Sequence, residues 1–65
     1  MVILNKDYLK KNIGSYVHII TNETYIFNGL YSGILTDFKD DKLVVNDEII
    51  LDYDNIKRVY FEDIN

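Results

Sequence analysis

The sequence contains no cysteine, no proline and no tryptophan, and it has a single histidine. Without cysteine the chain forms no disulfide and no Cys-based zinc site, and one histidine excludes a His-rich metal site. No stretch approaches the roughly 20 apolar residues that span a bilayer, so we expect no membrane contact. The residues therefore predict a domain without metal or cofactor, stabilised by apolar packing alone.

An export signal is not apparent at the start of the chain. Residues 1–6 are too few for a signal peptide and begin without a basic n-region. Together with the absence of cysteine, this predicts a cytoplasmic location. Alanine is absent while Ile, Asn, Lys, Asp and Tyr are abundant, a composition typical of AT-rich coding sequences, so we expect a bacterial or phage origin.

The acidic balance of the chain bears on its partners. Eleven Asp and Glu residues against seven Lys and Arg residues give a formal net charge of −4. Proteins that grip phosphates usually carry a basic patch, because their affinity comes from cations that displace counterions. The overall charge therefore disfavours nucleic acid as a partner.

With 65 residues, of which 48% are hydrophobic, the chain is expected to form one domain over residues 1–65. A chain this short buries only about 60% of the surface that its unfolded form exposes, so its stability margin is thin. Burial of further apolar surface in an oligomer would offset that thin margin.

One short helix is predicted near the start, over residues 6–13. Asn5 stands where a helix is capped, and Gly14 stands where a helix usually ends. Leu9 and Ile13 are four residues apart and are predicted to lie on one face. Two turns are marginal in isolation, so this helix is expected to dock against the rest of the domain.

From Tyr16 onward the residues favour β structure, and a hairpin is predicted at Asn28-Gly29. This dipeptide suits a type I′ turn, in which both central residues have positive φ. Residues 30–38 then form the returning strand, and Gly33 marks a bend or bulge in it. An alternative register places the turn at residues 22–23 and makes one long bent strand of residues 25–38.

The remainder of the chain alternates short β segments with polar turns. It predicts a turn at residues 39–42, strands at 43–45 and 48–51 around a turn at 46–47, a 3₁₀-like turn at 52–55, and a last strand at 56–61. We expect Ile56, Val59 and the three phenylalanines, Phe27, Phe38 and Phe61, to face the core. The predicted fold is mostly β: a small, closed, five-stranded barrel with a short N-terminal helix.

This order of elements resembles the Sm-like family within the SH3-like small β-barrels. Residues 9–17 resemble the family's helix end and first strand, residues 28–38 its first motif, and residues 56–59 the region of its second motif. The resemblance implies a subunit of a ring that binds single-stranded RNA. Lys39 and Lys42 stand where the first motif usually has Asp and Asn, and Lys57-Arg58 replaces the usual Arg/Lys-Gly pair.

No constellation in the sequence is typical of an enzyme. Most acidic residues fall in predicted turns, where Asp is favoured because it bonds to nearby backbone groups. His18 lies between two core-type residues and is expected to point outward. Ser15 and Ser32 lie outside any nucleophile-elbow context. We therefore expect no catalytic residue and no small-molecule substrate.

The tyrosines are the main positive signal, because Tyr16, Tyr25, Tyr31 and Tyr60 cannot all lie in so small a core. Exposed tyrosine is enriched in protein interfaces. Tyr16, Tyr31, Tyr60 and Ile50 are therefore the predicted contact residues, with strands 48–51 and 56–61 as contact edges. The predicted partner is protein, either further copies of this chain in a homo-oligomer or another chain.

Two other functions stay open from the sequence. A single-stranded RNA-binding oligomer would use Lys39, Lys42, Lys57 and Arg58 for phosphate and a nearby tyrosine for stacking. A small phage-encoded inhibitor would instead present the acidic residues to a host nucleic-acid-binding protein.

Overall fold

The computed structural model describes residues 5–62. They form a short helix, α1 (Lys6–Lys11), five strands, β1 (Tyr16–Thr21), β2 (Leu30–Lys39), β3 (Lys42–Val45), β4 (Ile49–Asp52) and β5 (Ile56–Phe61), and a 3₁₀ turn, η1 (Tyr53–Asn55), between the last two strands. The prediction of a mostly β fold with five strands and a short N-terminal helix is confirmed.

The five strands form one antiparallel sheet in the order β4-β3-β2-β1-β5. The first half of β2 pairs with β1 and the second half pairs with β3. The register between β2 and β3 shifts between Leu35 and Asp37, which leaves Thr36 as a bulge. Because bulges bend a strand, the long β2 joins two halves of the sheet that share one core.

The predicted closure of the sheet into a barrel is wrong. Among residues 5–62, β4 and β5 do not pair with each other, so the sheet stays open. Backbone groups of η1 bond to other parts of the chain. The Tyr53 N–H donates to Asp41 O at 2.9 Å, and Asn55 O accepts from the Asn22 N–H at 2.8 Å. These bonds carry the chain from the β4 edge to the far edge beside β1, without a β4–β5 ladder.

The core contains side chains from α1 and from every strand. Val59 and Phe38 are buried as predicted, as is Ile56, while Phe61 is half-buried against the core. The buried set is Leu9, Val17, Ile19, Leu35, Phe38, Leu43, Val45, Leu51, Ile56 and Val59.

The helix begins as predicted and ends earlier than predicted. The Asn5 side chain accepts a hydrogen bond from the Tyr8 N–H at 3.1 Å, which caps the first turn. α1 ends at Lys11, and the placement of Ile13 on its packed face is wrong, since Ile13 is 42% exposed. The chain leaves the helix there because Gly14, at φ 102°, donates its N–H to Leu35 O at 2.7 Å.

Both predicted registers for the β1–β2 connection are wrong. Residues 22–29 form a loop, and Gly29 has positive φ while Asn28 does not. Thr21 closes the base of this loop, because its hydroxyl accepts from the Gly29 N–H at 2.8 Å. Tyr25 turns inward against the core, and the predicted core residue Phe27 is instead 60% exposed.

Primed turn geometry occurs at the two polar turns downstream. Asp40 and Asp41 have φ values of 54° and 58°, and Asn46 and Asp47 have values of 54° and 59°. Asn and Asp tolerate the left-handed region better than other side chains do, because they bond to nearby backbone groups. The predicted turns at residues 39–42 and 46–47 are therefore confirmed.

Gly33 serves a different purpose from the predicted bend. The bulge falls at Thr36, and a Cβ atom on Gly33 would lie 2.7 Å from Cγ of Asn46. The Asn46 side chain accepts from the Ile34 N–H at 2.9 Å, so it lies directly against the β2 backbone. A larger residue at position 33 would therefore have to displace the Asn46 side chain, which glycine leaves in contact with the strand.

Candidate functional site

Three neighbouring strands, β5, β1 and β2, carry a face on which every side chain is exposed or half-buried. Side chains alternate between the two faces of a strand, so residues next to core positions point outward. We call this surface the outer face. It has three rows across the strands: Glu62, Tyr16 and Ile34; then Tyr60, His18 and Ser32; then Arg58, Ile20 and Leu30.

The rows follow from the strand register. His18 on β1 lies opposite Ser32 on β2 and opposite Tyr60 on β5. The residues on either side of His18, Val17 and Ile19, are fully buried in the core. His18 is therefore the centre of the outer face, and its predicted outward direction is confirmed.

The outer face is unusually apolar for the solvent side of a sheet. Leu30 is 67% exposed and Ile34 is 38% exposed, while Tyr16, Ile20 and Tyr60 are half-buried. Antiparallel sheets normally alternate apolar residues inside with polar residues outside. An exposed patch of aromatic and aliphatic side chains with few charges is typical of a protein-contact surface.

Hydrogen bonds cross the outer face through the histidine ring. His18 Nδ1 lies 2.7 Å from Ser32 Oγ, and His18 Nε2 lies 3.3 Å from a Glu62 carboxylate oxygen. An ionised carboxylate only accepts, so in the neutral ring Nε2 carries the proton and Nδ1 accepts from the Ser32 hydroxyl. The Tyr16 ring packs edge-on against the imidazole, with the ring centroids 5.3 Å apart. These contacts hold the ring in one orientation.

The Glu62–His18–Ser32 chain has the acid–base–nucleophile order of a hydrolase site, but its setting differs from one. It lies on an open strand face, with the His18 and Glu62 side chains 38% and 55% exposed. The backbone N–H groups near Ser32 lie in the plane of the sheet, and not above its hydroxyl, where an oxyanion would form. The geometry therefore supports a role in orienting the ring and satisfying polar groups.

The predicted contact residues are divided between different surfaces. Tyr16 and Tyr60 lie on the outer face. Tyr31 lies on the opposite side of β2, packs against the core and donates its hydroxyl to Phe27 O at 2.5 Å. Ile50 lies on β4 and is 59% exposed.

Sequence reasoning missed most of the outer face. Ser32, Leu30 and Ile34 were not predicted as site residues, although the alternation along β2 places them on one side. Glu62 was treated only as one acidic residue among many. The alternation along each strand could be predicted from the sequence. Which residues of neighbouring strands lie side by side in a row depends on the register between strands that are distant in the sequence.

The four cations of the RNA hypothesis are not brought together. Lys39 and Lys42 are opposite each other beside the β2–β3 turn, whereas Lys57 and Arg58 lie on β5. Lys42 pairs with Asp52 at 2.7 Å, and this hydrogen bond raises the pKa of Lys42. Lys57 donates to a Glu23 carboxylate oxygen at 2.9 Å. Two of the four cations are thus already compensated by carboxylates.

Residues 5–62 contain no group of three or more His, Asp or Glu side chains arranged to hold a metal ion. Within the same range, the one helix is too short to cross a membrane.

Comparison with protein-family models, with curated proteins and with solved structures found no match in any of the three. The resemblance to the Sm-like family therefore stays a prediction. The function of the chain must be argued from its own residues and their geometry.

Proposed function

We propose that the chain is a non-catalytic protein-interaction module, located in the cytoplasm, that contacts its partner through the outer face. The observation that carries this proposal is the composition of that face. Its five largely apolar side chains, Tyr16, Ile20, Leu30, Ile34 and Tyr60, lie on strands whose opposite side already forms the core.

Burial of this face against a partner is energetically favourable. Removing apolar surface from water stabilises a complex by about 25 cal/mol per Å². Tyrosine contributes large contact area with few rotatable bonds, so little side-chain entropy is lost on binding. A partner that binds only the folded chain would also stabilise it, which matters for a domain with a thin stability margin.

The arrangement of charges on the outer face supports a protein partner. Its only fully charged side chains, Arg58 and Glu62, lie at the two ends of the β5 column. Charge at the rim around a less charged centre is the usual anatomy of a protein interface. β5 is also an edge strand of the described sheet, so the predicted contact edge at residues 56–61 adjoins this face.

The predicted edge at residues 48–51 supplies a natural comparison. β4 is the other edge strand of the described sheet, and its Ile50 is exposed. We assign the main contact to the outer face because it groups Ile34 with several other apolar residues. On β4, by contrast, Ile50 lies beside the half-buried Ile49 on a strand of only four residues.

A photo-crosslinking amino acid, placed separately at positions 34 and 50 in cells of the natural host, tests this proposal. Both positions are exposed isoleucines on strands, so each replacement is expected to leave the fold intact, which circular dichroism checks. We expect a discrete protein adduct from position 34, reduced by Tyr60→Ala, and none from position 50. Absence of an adduct from position 34, or the same adducts from both positions, would overturn the proposal.

The two alternative functions have weaker support. RNA binding would need Lys42 and Lys57 to release Asp52 and Glu23 before they contact phosphate. An acidic mimic would need uncompensated carboxylates on one surface, whereas four of the carboxylates already contact Lys or His side chains.

A further inference from the structure

We propose that the partner of the outer face is a second copy of this chain, packed face to face about a two-fold axis. The axis runs along the central row, Tyr60–His18–Ser32, perpendicular to the strands. This inference rests on the proposed function, which assigns the contact surface to the outer face. It adds the identity of the partner and the orientation in which it binds.

The two-fold operation fixes which residues meet. Rotation about the central row keeps each strand over the same strand of the other copy and reverses its direction. The third row of one copy therefore lies over the first row of the other. Such a contact is isologous, because every pair of residues occurs twice.

The charges are self-complementary under this operation. Arg58 of one copy lies over Glu62 of the other, and the reverse pair forms at the opposite end of the β5 column. Arginine and carboxylate form strong, charge-assisted hydrogen bonds when they meet at close range. Two such pairs at the rim favour a second copy of the chain as the partner and fix the orientation in which it binds.

The apolar residues also match. Leu30 lies over Ile34 of the other copy, and Ile20 lies over Tyr16. In the central row Tyr60 lies over its own counterpart, as do His18 and Ser32. The two polar residues of that row already bond to each other at 2.7 Å, so their burial leaves no unpaired group between them.

A two-fold axis in the plane of the face but parallel to the strands is disfavoured by the same charges. It would place β5 of one copy over β2 of the other. Arg58 would then lie over Leu30, and Glu62 would lie over Ile34. A charge buried against an apolar side chain without a counter-ion is costly, so the charge pattern selects the perpendicular axis.

Arg58 and Glu62 are both available for these contacts. Among residues 5–62 Arg58 takes part in no ion pair, and its one side-chain hydrogen bond, to Tyr60 Oη, is long at 3.5 Å. Glu62 uses one carboxylate oxygen toward His18 at 3.3 Å. A carboxylate has two oxygens, so the second accepts from the arginine of the other copy.

The dimensions of the face predict a weak dimer. Three strands about 4.8 Å apart and five residues along each strand give a patch of about 10 by 14 Å between Cα atoms. Even with side chains added, this is smaller than the roughly 800 Å² per partner of a standard stable interface. We therefore expect association that depends on concentration and becomes evident only at high protein concentration.

Charge reversal tests the pairing directly by sedimentation equilibrium of the full chain. Wild type is expected to dimerise as its concentration rises. Arg58→Glu and Glu62→Arg should each weaken dimerisation by at least about tenfold, because like charges then meet at both ends. An equimolar mixture of the two variants should recover a dimer, since the acids of one variant face the arginines of the other.

Matched variants away from the face control for net charge. Lys39→Glu and Glu48→Arg make the same charge changes at exposed positions outside the outer face, and we expect them to dimerise like wild type. The double variant Arg58→Glu/Glu62→Arg restores the complementary pattern within one chain and should regain the homodimer. Circular dichroism confirms that each variant is folded.

Two results would overturn the dimer: wild type that stays monomeric, or a variant mixture that stays as monomeric as its components. The crosslinking experiment separates this failure from failure of the proposed function. An adduct from position 34 to a different protein, with monomeric wild type, would reject the second copy and keep the outer face as a contact surface. No adduct at all, together with monomeric wild type, would reject both proposals.

Discussion

The two faces of the β5-β1-β2 half of the sheet both carry apolar side chains but differ in how far those side chains are buried. On β1 the inward residues Val17 and Ile19 are fully buried, while the outward residues Tyr16 and Ile20 are half-buried. Apart from the outward His18 between Tyr16 and Ile20, these residues are apolar or aromatic. The inner face is covered by the other half of the bent sheet and by Leu9, whereas every residue of the outer face is exposed or half-buried. Hydrophobicity therefore marks a surface that is suited to burial, and topology decides whether the chain buries it by itself.

Two adjacent isoleucines on β1 provide the largest expected contrast. Ile19→Ala removes a fully buried side chain and should lower the free energy of unfolding by about 2–5 kcal/mol, because it leaves a cavity. Ile20→Ala, on the outer face, should cost less than about 1 kcal/mol in the isolated chain. Urea denaturation followed by circular dichroism measures both values.

Similar losses of stability in the two isoleucine variants would contradict this contrast between the inner and outer faces. Dilute protein must be used, because dimerisation at high concentration would add a contribution to the Ile20→Ala value. A loss of stability in Ile20→Ala that appears only at high concentration would instead be attributed to the proposed dimer contact.

A smaller effect is expected at Gly33, the inward position of β2 that contacts the β3–β4 turn. Gly33→Ala should destabilise the fold by about 1–3 kcal/mol, because the new methyl group overlaps the Asn46 amide. The measurement is again the free energy of unfolding in urea.

Asn46→Gly provides the matched test of this cause. Glycine keeps the positive φ of position 46 and removes the amide that a Gly33→Ala methyl group would meet. The double variant should therefore be more stable than the Asn46→Gly and Gly33→Ala changes predict when added together. Strict additivity would show that the overlap with Asn46 is not the cause.

The smallest effect is expected at an exposed ion pair beside the β1–β2 loop. The hydrogen bond from Lys57 is the main reason that the pKa of Glu23 is lowered. This stabilisation is present above the ordinary glutamate pKa and is lost as the pH falls through the lowered value. Because both side chains are exposed, we expect little change in the unfolding midpoint.

An NMR pH titration of the Glu23 side chain detects this interaction directly. Lys57→Met should raise the pKa of Glu23 toward its ordinary value. Lys42→Met removes the equivalent cation of a separate ion pair, with Asp52, and should leave the Glu23 titration unchanged. An unaltered titration in Lys57→Met would mean that the ion pair does not form in solution.

Local signals in the sequence predicted most of the elements. The cap at Asn5, the turns at residues 39–42 and 46–47 and the limits of β5 all follow from residues within a few positions of each other. The failures occurred where a distant contact outweighed a local preference. The N–H of Gly14 donates to Leu35 O, and the helix ends early. The hydrogen bond between Thr21 and Gly29 closes a longer loop where a tight hairpin was predicted.

The candidate site was predictable only in part for the same reason. Alternation along a single strand was enough to turn His18 outward, and the excess of tyrosines over core positions was enough to single out Tyr16 and Tyr60. It could not show that Ser32 and Glu62 flank His18, because those contacts join residues 14 and 44 positions apart. The exposed position of Phe27 and the inward position of Tyr31 likewise depend on how residues 22–29 fold back toward the core.

Local sequence patterns were enough to predict the class of the fold, the approximate limits of its strands and the absence of any disulfide. Those features depend on side-chain chemistry and on periodicity over a few residues, which any chain segment carries with it. Three features follow from the packing of residues 5–62 as a whole: the sheet stays open, Gly33 lies against Asn46, and Arg58 and Glu62 lie at opposite ends of the outer face. These depend on strand register and on backbone hydrogen bonds between distant residues, which are set when the whole chain packs around one core.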